Sequence, residues 1–302
     1  MYETRPSVDH FDLNTVHVSD DFVIGLGGEN KTVFFVGRTS GDRLGSLELD
    51  YEPRAVEADG DDVWVLTDSG IYKIDAGGGT APEIDDFWSS TTGPCGPWIV
   101  LMSGKLLAPA FHGVRSIDPT TGDVETLSLP VIGPNTVATT DGTNLFVFDR
   151  DRGKVHVFEV DSHDNLNWLG DTTISGSRGC FKAVVDGDEI ILACLHRLLR
   201  IDISDASEPE IAEISGVLPY RLTDLTVVDT GKYWLGTDER TGFSVSQVHR
   251  GKAYGDFDVT NSLLHVAFPD TSRWAFTDVV PYVESGDFDT LVDAVDTEFE
   301  TL

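Results

Sequence analysis

A polar turn followed directly by a short apolar run recurs along this chain. Two clear examples are Asp59-Gly60 before Val63-Trp64-Val65 and Asp141-Gly142 before Leu145-Phe146-Val147. Equivalent turns occur at Asp20-Asp21, Ser103-Gly104, Asp186-Gly187, Thr230-Gly231 and, more weakly, Asp270-Thr271. Successive turns from Gly60 onward are 44, 38, 45 and 44 residues apart. The chain is therefore built from a repeated unit of this length.

Each repeat predicts four short antiparallel strands. A Gly or Asp turn between two apolar runs closes a tight hairpin. A third strand follows, such as Val155-His156-Val157-Phe158, and another turn leads to a fourth, such as Val124-Glu125-Thr126-Leu127. The runs are short and rich in β-branched and aromatic residues, which favours strands over helices. Four antiparallel strands in a repeat of this length predict an all-β fold, a β-propeller of four-stranded blades.

The repeat length predicts seven blades in one domain over residues 1–285. Six blades plus a C-terminal extension is the alternative, because the stretch from Asn261 to Ser285 has weak strand spacing and contains Pro281. Residues 286–302 predict a short C-terminal amphipathic helix, with apolar residues at helical spacing. These residues are Phe288, Leu291, Val292, Val295, Phe299 and Leu302.

The charge of the chain indicates that the protein works at high salt concentration. There are 52 acidic against 21 basic residues, a net charge of −31, and the acids are spread through the turns. With 40% apolar residues the chain can still form a core, so the acids indicate a folded acidic surface. At molar salt the Debye length is about 3 Å, and the repulsion is screened. We expect a protein of a halophilic archaeon or of its virus.

The same charge makes nucleic acid an unexpected partner, and the sequence contains no apolar stretch long enough for membrane insertion. The N-terminal residues lack the pattern of a signal peptide, so we expect cytoplasmic synthesis, with a virion or assembled surface structure as the alternative destination.

Three cysteines do not form a disulfide framework. Cys180 and Cys194 lie symmetrically about Gly187, so a hairpin turning there places them opposite each other, close enough for a disulfide. Two reduced, packed thiols are the favoured interpretation, because no export signal is present.

Two stretches resemble known propeller repeats. His196 to Gly216 (HRLLRIDISDASEPEIAEISG) is similar to the LVIVD repeat of prokaryotic surface propellers. Val114 to Leu127 (VRSIDPTTGDVETL) is similar to blades of the YVTN and quinoprotein-like propellers. Each match covers about half a blade. The resemblance implies the fold and assigns no catalytic residue.

A search for catalytic chemistry is mostly negative. The sequence has no nucleophile elbow, zinc-protease motif or P-loop, and no dinucleotide fingerprint leading into a helix. Propeller lactonases resemble this architecture and hold calcium in the central channel, which implies calcium as the one cofactor to consider. The metal ligands stay unknown, because with 52 acids some fall near any channel.

One face of the predicted disc is enriched in arginine and aromatic residues. Connections between second and third strands, and between blades, fall on this face, together with five of the fourteen arginines. Arginine beside aromatic residues is typical of protein interfaces. Local pairing of each arginine with a nearby acid is the alternative. The predicted binding residues are Trp88, Trp98, Phe111, His112, Arg150, Arg152, His196, Arg197, Tyr220, Arg221 and Arg240.

The leading hypothesis is therefore a non-enzymatic propeller that mediates protein-protein binding or assembly, as a homo-oligomer or as a virion or cell-surface component. A calcium-dependent lactonase or hydrolase is the first alternative. A glycan-binding module, with Trp88, Trp98 and Tyr220 as stacking platforms, is the second.

Overall fold

The computed structural model describes residues 13–19, 21–27, 31–37, 43–77, 81–89, 96–110, 113–128, 135–160, 166–174, 179–195, 197–214, 221–229, 232–239 and 242–249. These residues form β-strands and turns only, and no helix in them could cross a membrane. The predicted C-terminal helix and the predicted repeat from Asn261 to Ser285 lie outside these ranges.

The first three blades are four-stranded antiparallel sheets in chain order. The first blade contains β1 (Leu13–Val18), β2 (Phe22–Gly27), β3 (Thr32–Gly37) and β4 (Arg43–Glu48). The second contains β5 (Pro53–Asp59), β6 (Asp62–Thr67), β7 (Gly70–Asp75) and β8 (Glu83–Ser89). The third contains β9 (Val100–Met102), β10 (Lys105–Ala110), β11 (Gly113–Ile117) and β12 (Val124–Ser128).

Two more four-stranded blades and a three-stranded sheet follow. The fourth blade contains β13 (Thr136–Thr140), β14 (Asn144–Asp149), β15 (Lys154–Val160) and β16 (Leu166–Thr173). The fifth contains β17 (Cys180–Asp186), β18 (Glu189–Cys194), β19 (Arg197–Asp202) and β20 (Glu210–Ile214). The sixth sheet contains β21 (Arg221–Asp229), β22 (Lys232–Glu239) and β23 (Gly242–His249).

The prediction of seven blades is wrong: the described residues form five four-stranded blades and the three-stranded sixth sheet. The first strand of each sheet contacts the first strand of the next, and β21 contacts β1, so the ring closes after six sheets. The alternative of six blades is closer to the six sheets observed. The repeat length alone cannot predict the number of sheets in the ring, because that number depends on the angle between neighbouring sheets.

Burial decreases from the middle of each blade to its rim. The second strands of the five four-stranded blades are buried along almost their whole length, as in β2 and β6. The outer strands β8 and β16 are mostly exposed. Apolar clusters form between neighbouring sheets, and one of them joins the first two blades through Phe35, Val63 and Ile74. The core is thus a set of wedges between blades, which explains why successive second strands read as continuous apolar runs.

Backbone geometry explains the repeated Gly turns. Gly60, Gly104, Gly142 and Gly187 each connect a first strand to a second, with φ between +57° and +91°. No atom lies within 4 Å of a Cβ added at these positions, so the left-handed backbone, and not lack of space, is what requires glycine.

Candidate functional site

The first strands of the sheets surround a central channel that contains a cavity of about 230 Å³. Every sheet contributes to the lining through its first strand or the residues just before it. Much of the wall is apolar, as at Val56, Trp98 and Val137. The ring of strands thus brings residues from distant parts of the sequence to one small space.

Four ionisable side chains from four different sheets meet at this channel. His17 of β1 lies opposite Glu57 of β5, with 3.9 Å between His17 Nε2 and Glu57 Oε1. Lys182 of β17 lies beside Asp224 of β21, with 3.7 Å between Lys182 Nζ and Asp224 Oδ1. His17, Glu57 and Lys182 line the cavity directly. The site therefore combines two carboxyl groups, an imidazole and an ammonium group.

The enclosed environment shifts the pKa values of the first pair. Burial raises the pKa of Glu57 to about 7, although backbone N–H groups of Ala58 and Leu101 and the charge of Lys182 oppose the shift. Burial and the Lys182 charge lower the pKa of His17 to about 4. Their side chains keep 22% and 20% exposure, but this surface faces the channel, where ions are poorly hydrated. At neutral pH His17 is neutral and Glu57 is about half protonated.

Asp224 lies behind the lysine and also joins the ends of the ring. Its side chain is 6% exposed, and its Oδ1 accepts a hydrogen bond from Thr15 Oγ1 at 3.0 Å. Thr15 belongs to the first blade and Asp224 to the sixth sheet, so this bond spans the point where the ring closes. Asp224 therefore lies within ion-pair distance of Lys182 and contributes to closure.

β-Bulges directly precede Thr15, Lys182 and Asp224 in their strands. The register of the first strand shifts directly before Thr15 in β1, Lys182 in β17 and Asp224 in β21. A bulge redirects the side chains that follow it and is common beside functional sites. Simple alternation along these strands consequently does not predict which side chains reach the channel.

The predicted face residues occupy varied environments. Trp98 is 4% exposed, and its Nε1 donates a hydrogen bond to Thr136 Oγ1 at 3.0 Å. Trp88 is partly buried, and its indole packs against Gly122 of the third blade, where a Cβ would come within 2.5 Å of the ring. Neither indole is a freely exposed platform.

The described arginines predicted for this face have separate local environments. Arg152 Nη1 donates to Asp149 Oδ2 at 3.1 Å, as in the alternative of local pairing. The backbone N–H of Arg150 donates to the Asn135 carbonyl oxygen at 3.1 Å. Arg197 is exposed at the start of β19. The residues that the structure describes do not include Phe111, His112, His196, Tyr220 and Arg240, nor the side chain of Arg221.

Cys180 and Cys194 pair across β17 and β18 and are joined by a disulfide, with 3.7 Å between their Cα atoms. Both residues are buried in the cluster between the fourth and fifth blades. The bond ties the start of a channel-lining strand to its neighbour, two residues before Lys182.

Sequence reasoning missed the channel residues. The available signal was an ionisable residue within a largely apolar stretch of the first strand, as in Thr15-Val16-His17-Val18 and Ala55-Val56-Glu57-Ala58. In the part of the chain that the structure describes, no three His, Cys, Asp or Glu residues group closely enough to hold a metal ion.

Comparison with solved structures supports the fold. A functionally unknown protein from Desulfotomaculum acetoxidans is 14% identical, with a TM-score of 0.62 over 82% of this chain and 79% of that chain. Kuenenia stuttgartiensis hydrazine synthase is 11% identical, with a TM-score of 0.61 over 82% and 80%. A protein of unknown function from Bacteroides thetaiotaomicron is 14% identical, with a TM-score of 0.54 over 73% and 65%.

No protein-family model matches the chain, and no curated protein matches it. At these identities the structural similarity concerns the fold alone. Together with the closed ring of sheets, it defines this protein as a β-propeller.

Proposed function

We propose that this protein is a non-catalytic, ligand-binding β-propeller whose central channel holds a small molecule. The observation that supports the proposal is the convergence of His17, Glu57 and Lys182 from three sheets at one cavity, with Asp224 of a fourth sheet 3.7 Å from the lysine. Charged side chains are rarely placed inside a protein without a role, and shifted pKa values concentrate at functional sites.

The size of the cavity limits the ligand. An engineered cavity of about 150 Å³ holds benzene, and pockets for drug-sized molecules begin near about 300 Å³. The channel, at about 230 Å³, lies between these values. A ligand of metabolite size fits, whereas a folded peptide segment does not.

The test is to identify small molecules that travel with the purified protein. The protein is purified at about 3 M KCl, where its charge is screened, then denatured, and the released molecules are identified by mass spectrometry. Val184→Trp narrows the channel beside Lys182, because Val184 also lines the cavity. Ile84→Trp is the matched control, since Ile84 is 42% exposed on an outer strand.

We expect a stoichiometric small molecule from the wild type and the control, and its loss from Val184→Trp. If no small molecule is released, and a fragment library produces no binding that Val184→Trp removes, the channel function is refuted. Circular dichroism and light scattering establish that each variant keeps the fold.

Protein-protein binding in a halophilic assembly, virion or cell surface is a second proposal. It is supported by Leu195, which is 39% exposed on the connection between β18 and β19, and by the exposed Arg197 two residues later at the start of β19. An exposed apolar side chain next to arginine is favourable for an interface. Light scattering at about 3 M KCl should show an oligomer or a co-purifying partner that Arg197→Glu dissociates. An unchanged mass in that variant argues against this face.

A further inference from the structure

Four side chains that line the channel site can each donate a hydrogen bond. Lys182 presents an ammonium group, and its side chain is 28% exposed to the channel. Neutral His17 carries one N–H donor, and Glu57 carries an O–H donor whenever it is protonated. Thr226 adds a hydroxyl group to the same lining. A ligand that accepts hydrogen bonds is complementary to this set.

The carboxylate of Asp224 is not available to the ligand in the same way. It is almost fully buried and accepts the hydrogen bond from Thr15. It therefore acts as a positioning group that keeps the Lys182 ammonium at the cavity wall. A ligand in the cavity meets the ammonium before it meets this carboxylate.

We propose that the channel site binds a small monoanion of the carboxylate type, with its anionic group against Lys182 and with Glu57 and His17 as hydrogen-bond donors. This inference rests on the proposed channel function and specifies its ligand class. A carboxylate accepts several hydrogen bonds. Its attraction to an ammonium group is strongest where that group is poorly hydrated.

Binding of such an anion is coupled to protonation of Glu57. Several charged or titratable groups surround Glu57: His17 from β1, Asp59 from its own strand, Lys182 from β17 and, behind the lysine, Asp224 from β21. The adjoining segment from Ile99 to Met102 contributes no charged side chain. An anion that arrives at Lys182 repels an ionised Glu57, so the bound state favours its neutral form. His17 stays neutral across the range, since its pKa is about 4.

Three probes of the same shape separate charge from size: benzoate, benzamide and benzamidinium. Each is larger than benzene and fits the cavity, and they carry negative, zero and positive charge. Affinities are measured by isothermal titration calorimetry at one constant KCl concentration, at about pH 6 and about pH 8.5. Constant chloride keeps competition by that anion equal at both values.

At the lower pH we expect benzoate to bind at least about tenfold more tightly than benzamide or benzamidinium. From about pH 6 to about pH 8.5 its affinity should fall by up to about thirtyfold, the limit for one coupled proton with a pKa near 7. Lys182→Met should reduce benzoate to the affinity of benzamide, and Lys182→Arg should retain the preference for the anion. Glu57→Gln should still bind benzoate, with a change of less than about twofold between the two pH values.

Lys31→Met is the matched control, because Lys31 is exposed and its Nζ donates to the Asp50 carbonyl oxygen away from the channel. If benzamide or benzamidinium binds as tightly as benzoate, the channel binds ligands but the anion preference is wrong. If none of the three binds while the purified protein still releases a channel ligand, the anion proposal alone is refuted. If neither experiment detects a ligand, both proposals fail.

Discussion

Replacing Glu57 by glutamine should stabilise the protein above neutral pH and leave it nearly unchanged in mild acid. The pKa of Glu57 is about 7 in the folded protein and 4.5 as the ordinary value. Between these values the folded state holds a proton that the unfolded chain releases. Stability therefore falls as pH rises from about 4.5 through about 7, and the loss is complete above that range.

The size of the effect follows from the shift. A difference of about 2.5 pKa units, at 1.36 kcal/mol each, corresponds to about 3 kcal/mol at about pH 8.5. Glutamine has nearly the same shape and carries no charge, so it should recover most of this free energy. Its carboxamide oxygen can still accept the hydrogen bond from the Ala58 N–H, which is 3.2 Å long in the wild type.

Urea unfolding, followed by tryptophan fluorescence, measures the free energy of unfolding of both proteins at about pH 5 and about pH 8.5 in the same KCl. The variant should gain about 3 kcal/mol at the higher pH and less than about 1 kcal/mol at the lower. Glu48→Gln removes one charge at an exposed position of β4 and serves as the control. An equal effect of Glu57→Gln at both pH values would refute the assignment of a buried, protonated Glu57.

Three further predictions concern the same scaffold. Burial lowers the pKa of His17 to about 4, so the folded protein loses stability at this residue as pH falls from about 6.5 through about 4. His17→Asn should reduce this acid sensitivity in the same urea assay. Reduction of the Cys180–Cys194 disulfide should lower the free energy of unfolding by about 3 kcal/mol, as expected for a sequence separation of 14, and Cys180→Ser with Cys194→Ser should make the protein insensitive to reductant. With a net charge of −31, the protein should gain at least about 10 °C in melting temperature between about 0.2 M and about 3 M KCl, and an unchanged calorimetric transition would argue against the halophilic proposal.

The opposite shifts of His17 and Glu57 have a joint consequence for the wild type. Over the range between about pH 4.5 and about pH 6.5, one residue makes stability rise with pH and the other makes it fall. The two pH dependences nearly cancel, whereas the two free-energy costs add. Single variants are therefore needed to observe the pH dependence of either group. The double variant should show the same flat pH dependence as the wild type in this range, at a higher free energy of unfolding.

Local sequence was sufficient to predict the strands and turns. Gly60, Gly142 and Gly187 occupy left-handed turns where the polar-to-apolar change predicted hairpins. The turn at Asp118 also depends on neighbouring residues only: the Asp118 carboxylate accepts hydrogen bonds from the N–H groups of Thr120 and Thr121. These features depend on residues a few positions apart, so they can be predicted without knowledge of the rest of the molecule.

The candidate site could not be predicted in the same way. The predicted face depended on sorting loops by side, and the structure instead buries Trp98 and pairs Arg152 with Asp149. Lys182 and Asp224 follow bulges, which disturb the alternation on which a prediction of side-chain direction depends. An ionisable residue in a largely apolar first strand was the one visible signal, and by itself it does not identify a partner.

The sequence by itself determined that the chain folds as repeated antiparallel sheets, because turn chemistry and apolar periodicity act over short distances. Only the tertiary structure decided how many sheets complete the ring and which charges meet inside it. Thr15 and Asp224 are 209 positions apart and share a hydrogen bond because β21 returns to β1. The twist and packing angle of every intervening blade set that contact, and so they also set the chemistry of the channel.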